Sequence, residues 1–148
     1  MYPLLLTIHN WLRWLVVLFG LYAVVRAYVG LFGRRAWTPA DKTAGTLFSV
    51  SIDVQFLVGL VLTFLSPIVA AAMANMQAAM QSDELRRILV EHIPLMLLAV
   101  VFVHLGTLGA RRAGDDRGRF RRSALWFTLT ALVLLVAIPW WRPLLRLP

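Results

Sequence analysis

Residues 14–32 of the chain read WLVVLFGLYAVVRAYVGLF, and the only charged side chain among them is that of Arg26. About 20 helical residues span the hydrocarbon core of a bilayer, which is about 30 Å thick. Three further apolar tracts occupy residues 47–72, 93–108 and 124–141. Lipid-facing strands alternate apolar and polar residues, whereas these tracts are apolar almost throughout. The pattern therefore predicts four membrane-spanning helices.

Composition places the whole chain in the membrane class. Of its 148 residues 60% are hydrophobic, and the mean hydropathy is +0.75, well above the range of soluble domains. We therefore predict one domain over residues 1–148, an all-α integral membrane protein with a four-transmembrane-helix up-down bundle. Residues 1–9 have no basic side chain, so we interpret the first span as retained rather than as a cleaved signal. Cysteine is absent, which excludes thiolate ligands for a metal.

The net charge of +8 comes mainly from the connections between the predicted spans. Such a distribution favours membrane topology over nucleic acid as its cause. By the positive-inside rule the first and third connections are cytoplasmic, and both chain ends and the second connection lie on the outer side. The basic residues of those two connections are Arg34, Arg35, Lys42, Arg111, Arg112, Arg117, Arg119, Arg121 and Arg122.

A break is predicted at the outer end of the second span. Proline lacks an N–H group and its ring clashes with the preceding turn, so Ser66-Pro67 should interrupt the helix there. Residues 70–91 are amphipathic and favour helix, with a new helix start at Ser82. We predict an outer amphipathic helical segment between spans two and three.

Three ionisable residues are expected in the cytoplasmic half of the bilayer: Arg26, Asp53 and His104, placed there by a rise of about 1.5 Å per helical residue. One interpretation is an Arg26–Asp53 ion pair between neighbouring spans, with His104 or Tyr22 completing the hydrogen bonds. The alternative is a proton path or a buried ligand site, because ionisable residues at membrane depth commonly serve such purposes.

The outer half has a different cluster. His9, Arg13 and Gly20 fall on one stripe of the first span, while His92 begins the third span. In an up-down bundle these two spans lie diagonally across the core, so the imidazoles are expected to approach each other at one level. Two facing imidazoles provide both axial ligands of a haem b iron, and Arg13 would neutralise a propionate. Gly20 and Gly59 would leave room for the macrocycle.

Copper is a less favoured alternative. Met73, Met76 and Met80 follow one another at helical spacing on the outer segment, and thioethers bind cuprous ions. Methionines on an amphipathic helix more often fill irregular apolar gaps, which is the interpretation we favour.

Five segments resemble a family of small four-span bacterial inner-membrane proteins labelled cytochrome b-like. They are LTIHNWLRW at 6–14, SPIV at 66–69, EH at 91–92 with LM at 95–96, ALWFT at 124–128 and IPW at 138–140. The resemblance implies a haem protein with His9 and His92 on the matching motifs, and some relatives carry histidine at His104. Asp53 stands where several relatives are expected to carry histidine, so the resemblance implies one ligand pair here rather than two.

Two functions remain open at this point. The first is a single-haem electron carrier, or a haem-bearing subunit of a redox complex, rather than a stand-alone enzyme; His9 and His92 would hold the metal, and a quinone is a plausible partner. The second is a non-catalytic accessory subunit packed against a larger respiratory or photosynthetic complex in the bilayer.

Overall fold

The computed structural model describes residues 1–140, and within that range the chain forms helices and no strands. Four of the helices, with the third counted from Asp83 to Arg111, are long and apolar enough to cross a membrane. The predicted all-α four-helix bundle is therefore confirmed, and its apolar helices indicate contact with a lipid bilayer. In chain order the elements are α1 (Tyr2–Gly33), α2 (Pro39–Leu65), α3 (Pro67–Ala74), α4 (Met76–Gln81), α5 (Asp83–Arg86), a π-helical segment (Arg87–His92), α6 (Ile93–Arg111) and α7 (Asp116–Ala137).

The four long helices form a ring in cross-section. Helix α1 packs against α2 and α7, and α6 packs against the same two helices from the opposite side. Helices α1 and α6 therefore lie diagonally across the core, as the up-down topology predicts. The core between them is apolar, with Phe48 of α2 in edge-to-face contact with Phe127 of α7 at a centroid distance of 5.7 Å.

Glycines admit the large aromatic rings of this core. A Cβ atom on Gly20 would lie 2.8 Å from Cε2 of Phe48, and one on Gly30 would clash with the ring of Phe120. Small residues at helix interfaces allow this kind of close approach in membranes. The expectation that Gly20 makes room for a macrocycle is therefore wrong, because Phe48 fills the space beside it.

The two ends of the bundle differ in charge. The basic end, as we call it, is the one with Arg34, Arg35 and Arg111, and the histidine end is the one with His9 and His92. At the basic end α1 stops at Arg34, whose φ of 49° lies in the left-handed region that commonly ends helices.

The outer segment begins where the sequence predicts. Helix α2 ends at Leu65, and the Ser66 hydroxyl accepts a hydrogen bond from the Val69 amide to start the next helix. The Ser82 hydroxyl caps α5 in the same way through the Leu85 amide. The segment consists of three short helices, because the chain breaks not only at the predicted Ser82 but also at Asn75.

That break separates the methionines. Met73 lies on α3, whereas Met76 and Met80 lie on α4, and all three side chains are exposed. They do not form the stripe on a single helix that the spacing suggested.

The helices extend beyond the apolar tracts into polar flanks. Helix α1 begins at Tyr2 and α2 begins at Pro39, each several residues before the predicted tract. The sequence also predicts that Trp140, Trp141 and Arg142 lie at the outer interface, because tryptophan is common at the edges of a bilayer. Trp140 is the last described residue, and the other two are outside the described residues.

Candidate functional site

The imidazoles of His9 and His92 meet at the histidine end. Their ring centroids are 6.5 Å apart and the ring planes are inclined by 76°, an edge-to-face contact. Both side chains are half-buried. Diagonal helices therefore bring the two rings to one level, as the sequence predicts, while their ligation of a metal remains a prediction.

His92 is oriented by a backbone group of the fourth span. Its Nδ1 lies 2.8 Å from the carbonyl oxygen of Ala137, near the end of α7. A carbonyl oxygen accepts only, so Nδ1 donates and Nε2 is the basic nitrogen of the neutral ring. Metal-bound histidines are commonly oriented by this type of second bond.

His9 is held by Gln55 of α2. The Gln55 amide nitrogen lies 3.0 Å from the His9 carbonyl oxygen and 3.2 Å from His9 Nε2. Because the carbonyl oxygen only accepts, the group facing it is the NH2 of the amide. The same NH2 then donates to Nε2, and the imidazole of His9 carries its hydrogen on Nδ1.

Two buried polar atoms beside this contact lack a hydrogen-bond partner among residues 1–140: His9 Nδ1 and Gln55 Oε1. Buried groups of this kind are normally satisfied by protein, water or a ligand. The pair therefore marks a place where a further polar group or a rearrangement of these side chains would lower the free energy.

The other predicted members of the site have distinct positions. Arg13 lies one helical turn from His9 and is buried, with its Cζ 5.6 Å from the ring centroid of Trp14. A Cβ atom on Gly59 would lie 2.9 Å from His9 Cε1. Gly59 therefore makes room for the imidazole itself, rather than for a macrocycle as expected from the sequence.

The centroid separation of the two imidazoles is close to that of two rings on one ion. Two rings bonded to one ion at about 2 Å each have centroids about 6 Å apart, close to the 6.5 Å observed. Binding at His9 Nε2 requires the Gln55 amide to rotate away, because it now occupies that nitrogen. Within residues 1–140 no group of three or more His, Asp or Glu side chains is arranged to hold a metal.

Arg26 pairs with Asp41, not with Asp53 as predicted. Its Nη2 lies 2.8 Å from Asp41 Oδ1. The prediction counted depth from Ala44, but α2 begins five residues earlier at Pro39, so Asp53 lies about 7 Å further from the basic end than assumed.

His104 pairs with Asp53 on the exposed side of the bundle, away from its core. Its Nε2 is 3.5 Å from Asp53 Oδ2, and its Nδ1 is 2.9 Å from the Val100 carbonyl oxygen. Because Nδ1 donates to that carbonyl, Nε2 of a neutral ring carries only a lone pair, which a carboxylate oxygen repels. A hydrogen bond between the two side chains therefore requires one further proton, on Nε2 or on the carboxyl group. The two side chains are 51% and 38% exposed.

His104 is not part of the imidazole pair. It lies twelve residues beyond His92, about 18 Å along the helix. The structure therefore brings together two of the three histidines, and it places the third with Asp53 in a separate polar site nearer the basic end.

Sequence reasoning missed the most highly connected polar residue, Asp41. Its buried carboxylate accepts hydrogen bonds from Arg26, from Arg35 at 2.8 Å and from the Thr38 hydroxyl at 2.7 Å. Hydrogen bonding to Asp41 raises the pKa of the Arg35 guanidinium, which also lies 4.9 Å from the ring centroid of Phe120. The capping-box spacing of Thr38 and Asp41 is the signal that would have found it.

Comparison of the chain with protein-family models, with curated proteins and with solved structures finds no match.

Proposed function

We propose that this protein is a membrane-integral, b-type cytochrome-like electron carrier, or the haem-bearing subunit of a redox complex. His9 and His92 would hold the iron. The observation that carries the proposal is the contact between these imidazoles across the bundle, with centroids 6.5 Å apart. The separation is close to that of two rings on one ion, but a macrocycle between them would require the edge-to-face contact to open and the Gln55 amide to leave His9 Nε2.

The surrounding residues support these roles. Ala137 fixes the orientation of His92 through its carbonyl oxygen, which leaves Nε2 as the basic nitrogen. The Gln55 amide keeps the lone pair of His9 Nε2 occupied until a ligand competes for it. Arg13 is buried one turn away and would pair with a propionate. A haem iron with two imidazole ligands exchanges single electrons, and burial in an apolar bundle tunes its potential.

The location follows from the same proposal. In a bacterial inner membrane the basic end would face the cytoplasm, and the histidine end would face the periplasm together with both chain ends. The haem would then lie near the outer surface, where a quinone or a larger redox complex is a plausible electron partner.

The deciding experiment is a reduced-minus-oxidised optical spectrum of the purified protein. We expect a haem band in the unmodified protein that is lost in His9→Ala and in His92→Ala. His104→Ala is the matched control, because it removes an imidazole at another level of the same helix, and it should retain the band. A protein that stays featureless after incubation with haem, or that loses the band equally in the control, would refute the proposal.

A second function, an accessory subunit of a respiratory or photosynthetic complex, is favoured by the Asp53–His104 pair. Ionisable side chains at membrane depth usually face protein or water, yet these two face outward. A helix of a larger complex would cover them. Extraction from native membranes in mild detergent should then yield a complex that Asp53→Leu with His104→Leu dissociates; a protein that migrates alone before mutation contradicts this function.

A further inference from the structure

A cleft opens at the basic end between α2, α6 and α7. Its volume is about 710 Å³, and three cationic side chains line it: Lys42 of α2, Arg111 of α6 and Arg119 of α7. The buried Ser123 of α7 also lines it. This cleft is distinct from the imidazole pair, which lies at the other end of the bundle.

The cleft has a positive charge that the protein does not neutralise. Within residues 1–140, Lys42 and Arg111 form no ion pair, and Arg119 has a partly exposed partner, Asp116, at 3.4 Å. The only acidic residue that lines the cleft is Asp41. Its carboxylate is already bound by two arginines, Arg26 and Arg35. The chemistry of the cleft is therefore that of an anion site.

Ser123 provides an independent indication of a ligand. Its side chain is 1% exposed, and its Oγ has no hydrogen-bond partner among the described residues. A buried hydroxyl group without a partner is unfavourable, and rotation of the side chain toward the cleft would let an oxyanion there accept its hydrogen bond.

A groove continues from the cleft along α6, and the two share Thr107 and Arg111. Val101, Leu105 and Leu108 give the groove an apolar face on α6, and the Asp53–His104 pair also lines it. The three apolar side chains are exposed. The cleft thus joins a surface that suits an acyl chain, which distinguishes a lipid from a free anion.

We propose that the cleft binds the phosphate group of an anionic phospholipid, with Lys42, Arg111 and Arg119 around the phosphate and Ser123 donating to it. The acyl chain would lie along the groove on α6. Basic pockets between membrane helices commonly bind anionic headgroups, and each nearby cation strengthens binding by about fivefold. This assignment does not depend on haem binding.

The test uses the full-length protein in neutral detergent micelles and measures lipid retention by native mass spectrometry. Dioleoyl phosphatidylglycerol should be retained in preference to dioleoyl phosphatidylcholine. Lys42→Gln and Arg111→Gln should each weaken retention of the anionic lipid by about fivefold. Arg121→Gln is the matched control, because Arg121 is an exposed arginine of α7 outside the cleft, and it should leave retention unchanged.

Two further variants separate binding from folding. Ser123→Ala should weaken retention without lowering the melting temperature, and Arg111→Lys should preserve retention because it keeps the charge. Equal retention of both lipids by the unmodified protein would overturn the proposal, as would an equal loss in Arg121→Gln. Displacement of the lipid by inorganic phosphate at the same concentration would overturn the assignment to a lipid headgroup.

Discussion

The Gln55 amide nitrogen bridges two atoms of one residue, lying 3.2 Å from His9 Nε2 and 3.0 Å from the His9 carbonyl oxygen. A residue of α2 thereby determines which nitrogen of an α1 imidazole carries the proton. It also competes with any metal for Nε2, so the affinity of the imidazole pair for iron depends on this amide.

Gln55→Leu should strengthen haem binding by about fivefold, since it removes one hydrogen bond, worth about 1 kcal/mol, that must break before His9 ligates iron. Titration of haem into the purified apoprotein, followed by absorbance, measures the change. Adding His9→Ala to this variant should abolish the gain. If Gln55→Leu instead lowers haem affinity as much as His9→Ala does, the amide supports haem binding rather than competing with it.

Asp41→Ala should destabilise the bundle by about 3 kcal/mol, because it leaves two guanidinium groups near a buried site without their carboxylate. Unfolding in mixed dodecyl sulfate micelles, followed by circular dichroism, measures the free energy. Asp116→Ala breaks an exposed pair with Arg119 and should cost less than about 1 kcal/mol. Equal effects in the two variants would argue against the buried pair as a source of stability.

Gly30→Ala should destabilise the protein by about 2 kcal/mol, because the added methyl group overlaps the buried ring of Phe120. Gly33→Ala is the control in the same helix, since no atom lies within 4 Å of its Cβ position. It should be neutral or slightly stabilising through helix propensity. Thermal melting of both variants in one detergent tests the difference. Equal melting temperatures for Gly30→Ala and Gly33→Ala would contradict the packing described.

Asp53 and His104 should behave as a coupled pair. Asp53→Leu or His104→Leu leaves one polar partner alone in the bilayer, whereas the double variant removes both. We therefore expect the double variant to lose less unfolding free energy than the two single variants lose together. The difference should be about 1 kcal/mol, within the range of interhelical hydrogen bonds in membranes. Unfolding free energies of the three variants form the cycle, and strict additivity would mean that the contact contributes nothing.

The sequence predicted the membrane helices and the meeting of His9 with His92 because both depend on coarse features. Apolar length determines the number of spans, and the parallel direction of the first and third spans sets the level of residues near their starts. Such features tolerate errors of several residues in the helix bounds.

Pairings between side chains depend on finer features. The predicted Arg26–Asp53 pair depends on a start of the second span near Ala44, and the five residues to the true start at Pro39 correspond to about 7 Å in depth. The sequence shows that Gly20 leaves room beside α1, but the residue that fills this room depends on the rotation of the neighbouring helices. In the structure it is Phe48. Gln55 was missed, although it lies one turn before Gly59 on the face of α2 that contacts His9.

The ion pairs of Asp41 and the hydrogen bonds of His9 lie at opposite ends of α1 and α2. At the first end Arg26 of α1 and Arg35 of the following connection both bind Asp41 of α2, while at the other end the helices are joined by hydrogen bonds between neutral groups. Drawing α1 away from α2 at the histidine end therefore breaks only bonds between neutral groups, whereas at the basic end it also breaks an ion pair with a buried carboxylate.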